Sequence, residues 1–554
     1  MAENYRGISF CNTVGKLFSG ILLNRITKWV KDNKILRESQ AGFRQSYSTI
    51  DNIFNLKSII KIRLSKKRQK AYAFFVDFSA AFDRVDRNCL FYKLATLGLS
   101  SKVRNIIRAM YSGTTGRVWS KLGLTRMFES LMGVKQGDIL SPLLFALFIN
   151  DLEENMIGGI KIGGKTIKLL AFADDIVLLA PNAAVLQVMI NYLDKYCMKW
   201  NLSVNIDKSK IMVFRNGGRP AKIEKWWYRG MLIDVVKEFK YLGVLFTSTL
   251  NLEQHFKNKV SAAKMALNNF NSIIMNNDVP LNSKLQIFNA VFRSSISYAA
   301  QAWGAKQYDH IELLQKYFIK RVLRLPIYTP DYLIYLETGI WPLFVYTLEL
   351  HLRYKNRCLE LSEDRYPNFF MHELIKRKLF CYEDWSRLEK EFGVSVEEIT
   401  KPGSNIQEIV EIVKSKLGNS FKEKLYNSSR SILYKDIYLK ENYTNDYIYD
   451  SKFKASEIGW IFKVRGELMY LNKYAFKVTN GICSLCNMGE VEDIWHFVAR
   501  CPILDTLRLK FLGKKLLNGE DFLGLQKNEK LKSLAEYCKY AWKYRYNLVT
   551  HFNY

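Results

Sequence analysis

Two apolar runs carry carboxylates where a buried strand tolerates them least. The first, AYAFFVDF at 71–78, closes its aromatic stretch on Asp77. The second, TIKLLAFADDIVLLA at 166–180, is interrupted by Asp174 and Asp175. Burying a carboxylate without a partner is costly, and two neighbouring ones also repel each other. A divalent cation supplies the missing positive charge, and an oxygen-only ligand set favours Mg²⁺ or Mn²⁺ over zinc. Strands of one sheet can place Asp77 and Asp174 side by side although they lie far apart in the chain. Successive strand residues point to opposite faces. Asp77 and Asp174 are therefore the expected principal ligands, with Asp175 an adjunct redirected by the turn. The plainer alternative is an acidic hairpin turn plus an N-capping aspartate.

The surrounding periodicity fits a sheet flanked by helices. Apolar residues recur at helical spacing over 13–31 and 50–64, with the polar, turn-rich segment QAGFRQS at 40–46 between them. A helix is expected after the first strand, through about Leu97. Ser141-Pro142 reads as an N-cap followed by Pro at N1. The DD hairpin leads into a helix ending near Trp200. Residues 71–200 are thus expected to form an α+β domain. From about Asn251 the pattern is helical and basic, with weak breaks at 362–368 and 401–404. The stretch 362–480 carries no legible chemistry.

Lysine and arginine total 83 against 53 acidic residues, a net charge of +30. Such a surplus repels itself within one compact body and points to a polyanionic partner, against the alternative of a generically basic protein. Nine cysteines in 554 residues do not make a disulfide scaffold. No run reaches the ~18 apolar residues of a membrane span, and Lys16 and Arg25 break up the only signal-like stretch. The expectation is an intracellular protein, in cytoplasm and/or nucleus, with no membrane and no obligatory protein partner.

Seven segments then occur in a telling order: YRGISFCNTVGKLF (5–18), QAGFRQSYST (40–49), DFSAAFD (77–83), GVKQGDILSPLLF (133–145), FADD (172–175), NIDKSK (205–210) and FKYLGV (239–244). Together they resemble the reverse transcriptase of non-LTR (LINE-type) retrotransposons. YAAQAWGAKQYDHIELLQ (298–315) is more weakly similar to the thumb of such elements. The resemblance implies metal-binding catalytic roles for Asp77, Asp174 and Asp175. It implies nucleotide-binding roles for Arg44, Phe82 (as the residue abutting the sugar 2′ position), Gln136, Gly137 and Lys208 (or Lys210). Tyr241, Leu242 and Gly243 match the turn that grips the primer terminus. By pattern alone the alternatives are a helix-core ring for Phe82, solvated surface for the lysines and a hairpin turn for YLG. Phe172 stands where many relatives have tyrosine. Full-length relatives carry an earlier reverse transcriptase segment and usually an upstream endonuclease, so a truncated open reading frame is expected.

Near the other end, Cys483, Cys486, His496 and Cys501 spell C-x2-C-x9-H-x4-C. Three thiolates and an imidazole suit a closed tetrahedral Zn²⁺ site, structural rather than catalytic, against the alternative of a chance cluster. The spacing resembles the zinc knuckle of these retrotransposon proteins, which implies binding to element RNA or target DNA. The segment is expected to be too small to fold without its metal. Trp495 and Phe497 flank the histidine as base-stacking or supporting rings.

The expected architecture is α+β, a right-hand polymerase: partial fingers at 1–70, palm with remaining fingers elements at 71–250, helical thumb at 251–361. A helical connector at 362–480 and a CCHC zinc knuckle with basic tail at 481–554 follow. The expected activity is RNA-directed DNA polymerisation with RNA template, DNA primer or target, and dNTPs. The alternative is a catalytically decayed retroelement remnant that only binds nucleic acid.

Overall fold

A computed structural model of the chain describes residues 9–10, 12–121, 123–217, 224–428, 431–438, 445–474, 481–526 and 529–552. The first motif is therefore described only from Ser9, and residues 5–8 of it lie outside. Helices α1 (Thr13–Asp32) and α2 (Thr49–Leu64) come first. Ser48 and Asp51 form a capping box that starts α2.

Strand β1 (Ala71–Val76) is buried along its whole length. Its odd residues, Ala71, Ala73 and Phe75, face one apolar cluster, and Tyr72, Phe74 and Val76 face another. That is the period of two expected of a strand covered on both faces. Helices α3 (Arg87–Thr96), α4 (Ser101–Tyr111) and α5 (Ser141–Phe148) follow. Then come β2 (Leu169–Phe172), β3 (Asp175–Ala180), α6 (Ala183–Lys199), β4 (Lys210–Phe214) and β5 (Val235–Val236). The five strands form one sheet in the order β5-β4-β1-β3-β2. All pairings are antiparallel except β4 with β5. Helices α3, α5 and α6 cover one face, and α2 covers the other. A separate hairpin, β6 (Glu238–Tyr241) and β7 (Val244–Thr247), docks beside it through Phe239, whose ring stacks on Phe75 at 4.3 Å.

The expected N-cap at Ser141 is not found. Ser141 is the first helical residue and is buried, and its hydroxyl pairs with that of Tyr111 at 3.2 Å. Pro142 sits one place deeper than expected, at a position that still needs no intrahelical N–H partner.

Among the described residues, every regular element after Thr247 is helical apart from one isolated bridge, Ile482 to Val491. Among these helices are α7 (Glu253–Asn269), α8 (Asp309–Val322), α9 (Leu343–Glu360), α10 (Tyr366–Lys376), α11 (Ile406–Asn427), α12 (Ala455–Arg465) and α13 (Leu531–Phe552). One apolar cluster includes Ile53 of α2, Phe75 of the sheet, Phe318 of α8, Leu352 of α9 and Phe462 of α12. The helices after 251 thus share a core with the back of the sheet. Among the described residues no helix is long and apolar enough to cross a membrane.

Candidate active site

Register brings the first carboxylates together. Val76 pairs with Ile176 in β1·β3, so one further step sets Asp77 opposite Asp175. Lys208 lies in the turn just before β4, whose first residue Lys210 pairs with Phe75, and lines the same cleft as Asp77. Asp77 and Asp175 continue the sheet face that carries Phe75 and Val177. They line one cleft of ≈ 350 Å³ together with Phe239, Tyr241, Leu242 and Gly243. Asp174 sits one residue earlier, in the turn between β2 and β3. The expectation had put Asp174 ahead of Asp175, whereas strand alternation gives Asp175 the place beside Asp77. Just beyond β1 the chain is pinned by 205–209. The Asp77 amide donates to Ser209 Oγ at 2.9 Å, and the Asn205 amide donates to the Asp77 carbonyl at 2.8 Å.

The segment QAGF packs against the aspartate turn. The Ala41 amide donates to the Ala171 carbonyl at 2.9 Å and the Ala171 amide to the Ser39 carbonyl at 2.8 Å. Buried Gln40 accepts from the amides of Gly42 at 2.9 Å and Ala173 at 3.2 Å through one side-chain oxygen. Ala173 adopts a left-handed φ of +57°, which costs a non-glycine residue ~1–2 kcal/mol, and the Gln40 bond offsets that strain. A Cβ on Gly42 would lie 2.2 Å from the Ala173 nitrogen, so only glycine fits there. One residue past the capping box, Asn52 donates to the Ala171 carbonyl at 3.1 Å and approaches the Tyr241 hydroxyl at 3.5 Å.

The remaining expected site residues fall around this centre. Leu242 and Gly243 form the β6–β7 turn, both with positive φ, as a type I′ hairpin turn requires. Tyr298 donates from its hydroxyl to the Leu242 carbonyl at 3.0 Å. The Tyr241 ring is buried, and burial raises its phenol pKa. Phe82 is half-buried and stacks on Phe145 at 4.7 Å. Gln136 reaches Asp83 at 3.4 Å. The close approach at Gly137 is to the chain itself: a Cβ there would lie 2.5 Å from the Ser9 carbonyl oxygen. Arg44 donates to the carbonyls of Arg37 at 2.7 Å and Gln40 at 2.9 Å, and burial lowers its pKa. Lys210 is ion-paired to Asp234 at 2.5 Å, which leaves Lys208 as the lysine that lines the cleft.

Residues 2–246 match the family reverse transcriptase (RNA-dependent DNA polymerase). This part of the chain is a reverse transcriptase domain. The chain is 26% identical over 337 residues to an RNA-directed DNA polymerase from mobile element jockey of Drosophila funebris, covering 59% of this chain and 36% of that protein. It is 26% identical over 351 residues to a probable RNA-directed DNA polymerase from transposon BS of Drosophila melanogaster, covering 59% and 37%. A retrovirus-related Pol polyprotein from a type-1 retrotransposable element R2 of Popillia japonica is 28% identical over 353 residues, covering 60% and 47%. The chain therefore spans about a third to a half of the length of these relatives. The solved apo telomerase of Candida tropicalis aligns at a TM-score of 0.34 and 12% identity, over 73% of this chain and 61% of that one.

Beyond the reverse transcriptase domain, Cys483, Cys486, His496 and Cys501 are all buried, with ligand atoms within 4.8 Å of one another. It is the one such group among the described residues. His496 Nδ1 lies 2.8 Å from Glu490 Oε2, which directs Nε2 to Cys486 Sγ at 3.4 Å. An imidazole oriented in this way by a carboxylate is typical of metal ligation. The expected small, self-contained knuckle is replaced by a larger unit. The cysteines belong to an apolar cluster that includes Val464, Leu504, Tyr537 and Ala541. Arg508 donates to the Cys501 carbonyl at 2.7 Å, and Arg545 of α13 holds buried Glu492 at 2.5 Å. Phe497 is buried and Trp495 packs edge-on against Phe522 at 5.1 Å, so these rings support the unit.

Sequence reasoning missed Gln40, Gly42, Asn52 and Ser209 as parts of the site. Gln40 and Gly42 lie inside a quoted motif. Their roles depend on which strand that motif packs against, and no local pattern specifies it.

Proposed function

We propose that this chain is an RNA-directed DNA polymerase of the non-LTR retrotransposon type, extending a DNA primer on an RNA template. The observation that carries this reading is the single cleft lined by Asp77, Asp175, Lys208 and the 241–243 turn. Asp77 and Asp175, with Asp174 adjoining, offer only oxygen ligands, which suits two Mg²⁺ or Mn²⁺ ions. Such ions, when bound, activate the primer 3′-hydroxyl and stabilise the departing pyrophosphate. The chain's own groups do the rest. Lys208 offers a cation to the departing phosphates, and Arg44 a guanidinium to the triphosphate. Phe82, braced by Phe145, limits the space at the sugar 2′ position. Gln136 and Gly137 abut the nucleotide and template, and the Tyr241-Leu242-Gly243 turn holds the primer terminus. The +30 charge is the counterpart of the nucleic-acid backbone.

The Cys₃His group, in this reading, holds one structural Zn²⁺, and its basic surroundings bind element RNA or target DNA. The deciding experiment is Mg²⁺-dependent extension of a DNA primer on an RNA template by the purified chain. Extension that requires RNA template, dNTPs and Asp77 supports the reading. Nucleic-acid binding without extension would leave the decayed-remnant alternative instead.

A further inference from the structure

The helix junction at 354–366, which straddles the start of the stretch whose sequence carries no legible chemistry, grips the segment that in turn grips the aspartate turn. Arg365 Nε lies 3.0 Å from Glu38 Oε1, and the Tyr366 amide donates to the same oxygen at 3.0 Å. The Arg365 guanidinium covers the Tyr47 ring at 3.5 Å, while the Tyr47 hydroxyl donates to the other Glu38 oxygen at 2.5 Å. From α9, Arg357 makes paired contacts of 3.2 Å to both oxygens of Asp51, and Tyr354 donates to Asp51 at 2.9 Å. Arg357 and Arg365 both donate to the Ser46 carbonyl, at 2.8 and 3.1 Å. Asp51 is 1% exposed, so removing the bidentate arginine would leave a buried carboxylate without that counter-charge, which is strongly destabilising locally.

Residues beside the gripped ones meet the site. Gln40, two residues after Glu38, holds the strained Ala173. Asn52, next to Asp51, holds the Ala171 carbonyl and faces Tyr241. Every described link between Arg365 and the aspartate turn is a hydrogen bond, an ion pair, a cation–ring contact or one to two steps along the chain.

We propose that Arg365, acting through Glu38 and Gln40, is a positioning residue that sets the Asp174–Asp175 turn for metal binding. The junction after the thumb is thus a brace for the palm. The proposal rests on the polymerase reading for its purpose, but its mechanical content does not.

The test uses the full chain with Mn²⁺ as the probe, its binding followed by electron paramagnetic resonance. Primer extension against Mg²⁺ concentration is measured in parallel. Asp77→Asn identifies the binding that belongs to the site. Arg365→Gln is expected to weaken that binding, and to raise the Mg²⁺ needed for half-maximal extension, by ~10-fold, the low end for residues behind a metal ligand. Arg365→Lys keeps the charge but loses the fork, and should fall between. A variant that merely folds less well lowers amplitudes without moving either midpoint. Glu38→Gln removes the ion pair from the other side and should give the same shift if Arg365→Gln does not fold. Midpoints within about twofold of the parent in both variants, against a full loss in Asp77→Asn, would overturn the brace and leave the polymerase reading standing. If the parent chain extends no primer, the polymerase reading falls, and the Mn²⁺ midpoints alone decide the brace.

Discussion

Asp77 stands opposite Asp175 across β1 and β3, one step beyond the last paired residues Val76 and Ile176. The two carboxylates share a sheet face because both positions continue the odd-numbered series that begins inside the core. Asp77→Asn and Asp175→Asn should each lower primer extension by more than the ~10–100-fold seen when residues behind a metal site are lost. Circular dichroism should stay unchanged. Extension by Asp175→Asn close to the parent's, with Asp174→Asn inactive, would restore Asp174 to the principal place.

Phe82 is half-buried against Phe145 rather than enclosed in the helical core. Phe82→Val should therefore open space at the sugar and raise ribonucleotide incorporation relative to deoxyribonucleotide. The change in buried ring area costs on the order of 1–2 kcal/mol of stability. Competition between rNTP and dNTP measures the effect. An unchanged ratio would assign Phe82 to packing alone.

His351 carries a pH dependence. Its Nδ1 donates to the Gln301 carbonyl at 2.9 Å, and its Nε2 accepts from the Trp385 indole at 3.0 Å. Both nitrogens are committed to the neutral ring, and burial lowers its pKa from 6.5 to about 4. The unfolded chain takes up the proton first as pH falls, so stability drops between those two values. The loss is roughly 2 kcal/mol at about pH 5 relative to neutral pH. His351→Gln keeps a donor and an acceptor but does not titrate. Denaturant titrations at the two pH values should show the parent losing more than the variant.

Chelation, or Cys486→Ser, should release about one zinc per chain. In isolated finger peptides the metal supplies ~10–16 kcal/mol of folding free energy. Here the apolar cluster around Leu504 and Tyr537 shares that task. The expected outcome is faster proteolysis and hydrogen exchange within 481–526 rather than global unfolding. Extension on a generic primed template should stay close to the parent's, with weaker binding to structured RNA. A parent chain with no zinc would refute the metal assignment.

Much of this arrangement was legible locally. The aromatic run of β1, the DD hairpin and the Cys₃His spacing are properties of a few consecutive residues. Period-two and period-3.6 patterns report which face is apolar, wherever that face ends up. Hence β1, β2, β3, the helices beyond 251 and the three aspartates could be named in advance, whereas β4 and β5 were not. Docking is different, because it depends on which surfaces meet. That Asp175 rather than Asp174 lines the cleft follows from register, fixed by β1 lying between β3 and β4. That Gly42 must be glycine follows from the Ala173 backbone 2.2 Å from its missing side chain. That Glu38 and Asp51 are held by arginines some three hundred positions later follows from packing of α9 and α10 on α2 and the loop before it. The sequence by itself determined the chemistry available to this protein, through residue type and local period. Only the tertiary structure decided which of those residues face one another, because contacts between distant segments are set by the shared core and not by local pattern.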